Sequence, residues 1–407
     1  MAAPRFSKGD STLTSTDPLR IAVVGCGGMA AFHLRAYREL AQKAPGLITV
    51  SATCDVDEGR ASSVAAEIAE FQADEPHVYT DYRRLLDEHR PPAVDLVLPH
   101  NLHHTFVAEA FDAGAHVLLE KPLALSIAAS KLLLDAHQRA HEHSSLVLAV
   151  AEQYRRTLEA RATRWAIQEA GLIGEPRLVV SQRASLSMGL IAGTAWRHER
   201  LMAGGGWVLD GEVHTFDLFH YMFGRIAEVY AVIRTFEKTR YADPKTLGGP
   251  TPSDVEDAAM AVLTFENGLL ANFTWTHAAP GKTLQQRRYY GSDGSLDRDG
   301  LHLRDATDLS GAELQEKFLA SLSPEKKETL FPYDTRDSVT VELVDFVRAV
   351  RDGTVPEVDG HEALAAMAVS EAFYESDHAG TPIKVADVRA GRVRAAQHDI
   401  DAHWGLP

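Results

Sequence analysis

With two cysteines in 407 residues and no Cys-x-x-Cys spacing, the chain has no disulfide framework, and Cys26 and Cys54 read as reduced cytoplasmic thiols. No apolar run reaches membrane-spanning length, and residues 1–18 lack the apolar centre of a signal peptide. Lysine and arginine (41) are outnumbered by aspartate and glutamate (57), leaving a net charge of −16 with no basic run. That balance argues against nucleic acid and anionic membranes as partners. Internal repeats, a Gly-x-Ser-x-Gly elbow and a Gly-x-x-x-x-Gly-Lys phosphate loop are also missing.

What remains is a soluble globular composition, 45% hydrophobic, in a chain too long for a single ordinary core. Its opening carries the strongest local signal. Ile21 to Val24 read as a buried strand, and Gly25-x-Gly27-Gly28-Met29-Ala30 turns it into a helix. Gly25 permits the tight turn, Gly27 leaves room for a pyrophosphate, and Ala30 lets helix and strand pack closely. The first helical turn then offers backbone N–H groups to phosphate. The next strand ends in Asp55-Val-Asp57. Asp55 is read as the acceptor for the adenosine ribose hydroxyls, favouring NAD over NADP, or as a helix N-cap.

Near-continuous apolar strands then alternate with helices to about residue 151, which predicts a parallel, doubly wound sheet. Residues 1–17 are expected to be a disordered tail, 18–151 a Rossmann domain, and 152–407 an α+β domain with an open, largely antiparallel sheet. In that second part Glu266-Asn267-Gly268 marks a hairpin with a type I′ signal. Phe273 and Trp275 are read as lying on a face that either oligomerises, as a homodimer or homotetramer, or sits under local helices. The segments 338–352 and 360–379 read as helices that pack back on the first domain.

In such a sheet ligands bind beyond the carboxyl ends of the strands. Pro99-His100-Asn-Leu-His103 and Glu120-Lys121-Pro122 fall there. Lys121, a compact cation at a strand tip, is suited to stabilise developing alkoxide charge. Further on, Gly204-Gly205-Gly206 precedes Asp210-x-x-x-His214, whose spacing puts both side chains on one helical face. That pairs a base of near-neutral pKa with an orienting carboxylate. The alternative is an N-cap aspartate and a core histidine. His100-x-x-His103-His104 has no nearby cysteine or carboxylate to complete a ligand set, so no metal is expected.

Taken together, the glycine turn, Thr-Cys-Asp55-Val-Asp, Pro99-x-x-x-His103, Glu120-Lys121-Pro122, Trp196-Arg197 and Asp210-x-x-x-His214 resemble the glucose–fructose oxidoreductase / inositol dehydrogenase / rhizopine-catabolism family. The resemblance implies Lys121, Asp210 and His214 as the catalytic trio, with Asp210 holding the imidazole. It also implies cofactor contacts from Pro99, His100, His103, Glu120 and Lys121, and substrate contacts from Tyr154, Arg155, Trp196 and Arg197. The implied reaction is hydride transfer between a secondary hydroxyl of a sugar, sugar derivative or cyclitol and NAD. An NAD-retaining glycosidase, acting on a glycoside by oxidation, elimination and reduction, would use the same residues. Two positions depart from the family pattern. His100 stands where Asn is frequent, and Glu212 replaces a frequent Gly, directing a charge to the sugar pocket or to solvent.

Overall fold

The structure, a computed structural model, describes residues 17–407; the expected tail, Asp17 excepted, lies outside the described residues. Six strands, β1 (Leu19–Val24), β2 (Ile48–Cys54), β3 (His77–Tyr79), β4 (Ala93–Leu96), β5 (His116–Glu120) and β6 (Leu148–Ala151), form a parallel sheet in the order β3-β2-β1-β4-β5-β6. β1 is apolar and buried from Ile21 to Val24 because helices cover both faces of the sheet. Helix α1 (Ala30–Lys43) turns Ala30, His33, Leu34, Tyr37 and Leu40 inward, an i, i+3, i+4, i+7 face that includes two polar side chains. α2 (Glu58–Ala69) starts at Asp57, whose carboxylate accepts from the Gly59 and Arg60 N–H groups. The N-cap role considered for Asp55 therefore belongs to its neighbour.

The second sheet is built in chain order from β7 (Pro176–Ala184), β8 (Ile226–Arg234), a separate hairpin β9 (Thr239–Asp243)–β10 (Gly248–Pro252), β11 (Ala258–Phe265), β12 (Leu270–Thr276), β13 (Leu284–Gly291), β14 (Gly294–Asp297), β15 (Gly300–Leu303), β16 (Asp308–Ser310) and β17 (Ile383–Lys384). Its order is β16-β15-β14-β13-β7-β12-β11-β8-β17. All neighbours are antiparallel except β12 and β7. The β11–β12 hairpin forms as expected, but its turn differs. Gly268 N–H bonds Phe265 O at 3.0 Å and Gly268 alone of the turn has positive φ, so a type I turn ends in a glycine bulge rather than type I′.

One face of this sheet lies against the helices Val213–Phe223 and Gly360–Ala379. Phe273 and Trp275 are on that inner face, each 1% exposed, and Phe273 meets Phe216 and Phe373. They are covered by local helices and do not belong to the outer face. The outer face instead carries Leu178, Tyr230, Val232, Met260, Val262 and Leu270, in register across β7, β12, β11 and β8 and all exposed. Among the described residues no helix is long and apolar enough to cross a membrane.

The C-terminal helices do pack back on the first domain. Val339, Leu343 and Val347 of Ser338–Asp352 share a buried cluster with Leu34, Tyr37 and Leu40 of α1. The Val150 N–H donates to Val358 O at 3.0 Å, carrying the chain past the edge of the parallel sheet.

Gly25 anchors the nucleotide turn. Its φ is +94°, and a Cβ there would lie 2.1 Å from Val97 O. Gly25→Ala should therefore lose stability, by about 1–3 kcal/mol from backbone strain alone. A urea melt with an unchanged midpoint would contradict this account of the turn.

Candidate active site

Five segments converge at the carboxyl edge of the parallel sheet: the glycine turn after β1, Asp55 after β2, Pro99–His100 after β4, Lys121 after β5 and Glu152 after β6. At the first, Gly27 and Gly28 are exposed, and a Cβ on either would meet no described atom within 4 Å. α1 begins after Met29 with no side-chain cap among the described residues and no acidic residue in its first turn. An open backbone leading into an uncapped helix N-terminus is the arrangement that receives a phosphate. Asp55 closes the turn from β2: one carboxylate oxygen accepts from the Cys26 N–H at 2.8 Å, the other from the Asp57 N–H at 2.9 Å. The residues present fit a dinucleotide.

Lys121 reaches across to the second domain. Its ammonium donates to Asp210 main-chain O at 2.7 Å and to Asp210 Oδ1 at 3.0 Å. Arg197 Nε donates to the other oxygen at 2.9 Å, and His100 Nε2 stands 3.5 Å from Oδ1. Burial alone would raise the Asp210 pKa, but Lys121, His100 and Arg197 hold it well below the usual carboxylate range. Burial likewise opposes charge on Lys121, yet Asp210 and Glu120 outweigh it and raise the lysine pKa. The ammonium therefore persists through the neutral range. Trp196 completes this wall: its ring meets His100 edge-on with centroids 4.8 Å apart, and the Arg197 guanidinium lies 4.3 Å over it.

Asp210 does not hold His214. The helix predicted to carry both is broken: a short turn Trp207–Asp210 ends, and a new helix starts at Val213. Gly211 lies at the break, where an added Cβ would be 2.1 Å from the Trp207 indole, so the ring occupies the space of a side chain. The imidazole instead bonds through Nδ1 to the carboxylate of Glu152, a buried residue immediately after β6. Tyr154, 48% exposed, stacks on a face of the same ring with centroids 4.3 Å apart. Glu152 was not identified from sequence because 62 positions separate it from His214. A carboxylate at a strand's carboxyl end, beside Tyr154, was the available signal.

Other expected contacts resolve differently. Arg155 is buried in an ion pair with Asp217, so its guanidinium is committed inside the domain and is not free for a substrate. His103 is fully buried, with Nδ1 2.9 Å from Pro122 O and Nε2 3.0 Å from Leu98 O. Burial pushes its pKa down to about 4, so the neutral ring donates to only one of these two carbonyls while it packs between the loops after β4 and β5. Both ring nitrogens face main-chain carbonyls, which leaves neither for a cofactor. Glu120 is also turned inward, towards His33. Glu212 does not face solvent; it is buried and accepts from Trp207 Nε1 at 3.1 Å. Pro99 is half-buried at the lip, ahead of the short turn His100–Leu102.

Residues 19–147 match the family model "Oxidoreductase family, NAD-binding Rossmann fold", and residues 162–297 match the GFO/IDH/MocA C-terminal domain. The chain belongs to the Gfo/Idh/MocA oxidoreductase family. It is 26% identical to a levoglucosan dehydrogenase of Pseudarthrobacter phenanthrenivorans, covering 88% of this chain and 96% of that one. It is 24% identical to a myo-inositol 2-dehydrogenase of Thermotoga maritima, over 91% and 99% respectively. Among solved structures, an oxidoreductase domain protein from Kribbella flavida superposes with a TM-score of 0.74 at 27% identity, covering 91% of this chain and 99% of that one. The protein is thus an oxidoreductase with an NAD-binding type of Rossmann domain.

The cross-domain pair can be tested without a substrate. Asp210→Asn should cost about 3–5 kcal/mol at pH 7, because it strands buried cations. In a cycle with Lys121→Met the two losses should overlap by about 1–3 kcal/mol. Because the folded Asp210 pKa is depressed, this stabilisation is present above the unfolded value of about 3.9 and is lost as pH falls towards the folded one. Strictly additive losses in chemical denaturation would mean the pair does not interact.

Proposed function

We propose that the protein is an NAD-dependent dehydrogenase that oxidises a secondary hydroxyl of a sugar, sugar derivative or cyclitol. The observation that carries the reading is the pairing of each chemical group with its own buried carboxylate: Lys121 with Asp210, and His214 with Glu152. A hydroxyl between them meets a permanent cation on one side and a base on the other. His214 Nε2 accepts the hydroxyl proton while Glu152 fixes the ring through Nδ1. Lys121 donates to the substrate oxygen as negative charge develops there. Asp210, itself fixed by Arg197, holds the lysine ammonium in place. Tyr154 and Trp196 offer aromatic surface to the ring of a carbohydrate. NAD, when bound, supplies the hydride acceptor at nicotinamide C4.

NAD over NADP follows from Asp55, a carboxylate at the tip of β2 that would repel a 2′-phosphate. Small carbohydrates as substrates are in keeping with the relatives named above, a levoglucosan dehydrogenase and a myo-inositol 2-dehydrogenase.

We further propose a homodimer or homotetramer formed through the outer face of the second sheet. Met260, 60% exposed, sits opposite Val232 on β8, and Val262 opposite Tyr230, giving a continuous apolar strip with no covering helix among the described residues.

A panel of anhydrosugars, aldoses, glycosides and inositols should include a compound that generates NADH, faster with NAD than with NADP. His214→Ala should slow it by about 10²–10⁴. An inert panel would overturn the dehydrogenase reading, and cleavage of a glycoside with no net NADH would assign the glycosidase cycle instead. Met260→Asp combined with Val262→Asp should reduce the assembly to monomer in light scattering; an unchanged mass would place the interface elsewhere.

A further inference from the structure

Beneath Lys121 lies a buried charge cluster that the mechanism above does not use. His33, on the inward face of α1 and 1% exposed, places Nδ1 2.8 Å from Asp95 Oδ2 and Nε2 3.0 Å from Glu120 Oε1. Both partners are carboxylates, and a ring that donates to both carries a proton on each nitrogen. Burial disfavours that charge, but Asp95 and Glu120 together raise the histidine pKa well above its usual range. Tyr37, one turn further along α1, donates to the same Asp95 oxygen at 2.8 Å. Asp95 stands in β4 between Val94 and Leu96, all three fully buried.

Packing does not call for this. Three ionisable groups taken out of water cost several kcal/mol each before their attraction is counted, and apolar residues of similar volume would fill the space. The cluster leads somewhere specific. The second oxygen of Glu120 accepts the main-chain N–H of Lys121 at 3.2 Å, and from that residue the side chain extends to Asp210. An unbroken path of hydrogen bonds therefore runs from α1 and β4, through His33 and Glu120, to the peptide that carries the lysine.

We propose that His33 is a positioning residue for Lys121: it bridges Asp95 and Glu120, and holds the Glu120 carboxylate that receives the lysine's peptide N–H. Without it, Glu120 faces the interior unpaired and the lysine peptide loses its fixed acceptor. The ammonium then no longer stands at one place beside the substrate oxygen. The inference rests on the assignment of Lys121 under Proposed function.

The test is a cycle of His33→Gln and Lys121→Ala, assayed with the fastest compound of the panel at saturating NAD. Protein fluorescence with NADH gives cofactor affinity, and thermal melts check the fold. His33→Gln should lower kcat roughly ten- to hundredfold where the lysine is present. In the Lys121→Ala background the further loss should be under about twofold, with NADH affinity little changed, because the lysine is the route by which His33 acts. Equal fractional losses in both backgrounds, or no loss in either, would overturn the proposal while leaving the lysine's role intact. A Lys121→Ala enzyme at the parental rate would remove that role, and the proposal with it. Should His33→Gln fail to fold, Glu120→Gln, which keeps the shape and removes the charge that His33 holds, passes through the same cycle with the same expected and contrary results.

Discussion

The Asp210 carboxylate joins the two halves of the molecule. Lys121 and His100 come from the carboxyl edge of the parallel sheet, Asp210 and Arg197 from the second domain, and one buried anion receives them all. Breaking such a pair on one side leaves an uncompensated charge in a low dielectric, so the cleft has one favourable closure and few alternatives. The Lys121 side of the site depends on that closure. Trp196, next to Arg197 in the chain, meets His100 across the same junction, and the helix that carries His214 begins at Val213, just beyond Asp210.

Much of the fold was legible because its signals are local. The glycine turn, the apolar strands and the Asn-Gly hairpin each depend on a few neighbouring residues, and each forms where its pattern indicates. The second sheet marks where that legibility ends. Alternation along β11 and β12 tells which residues share a face, since parity is fixed by the pleat. It does not tell which face the helices cover. Ala259, Ala261, Phe273 and Trp275 lie inside, whereas Met260 and Val262, no less apolar, lie outside. The choice is made by Phe216 and Phe373, which arrive from helices far away in the chain.

The site divides in the same way. Lys121 and His214 could be singled out as candidates because each sits in a short motif with a chemical reason for its residue type. Their partners were not, because pairing is a property of space. Four-residue spacing puts two side chains on one face only if the helix between them is continuous, and here it is interrupted between Asp210 and Val213. Glu152 and His33 each bond across tens of residues to another element, with no periodicity to announce them. A buried aspartate in an otherwise apolar β4 was the one local sign that a charge network lay beneath.

Separate carboxylates for the lysine and the imidazole also make chemical sense of the site. In the proposed reaction the lysine must remain charged throughout, while the imidazole has to gain and release a proton in every cycle. Were both to share Asp210, each protonation of the ring would set a second mobile cation against the first on one anion. The lysine's grip would then weaken at the moment the substrate oxygen needs it. With Glu152 answering to the ring and Asp210 to the lysine, the proton arriving on His214 is balanced locally. Arg197 adds a fixed positive charge on the lysine's side alone. The helix expected to carry the Asp-x-x-x-His face is interrupted between these two circuits, and each side chain bonds to its own partner.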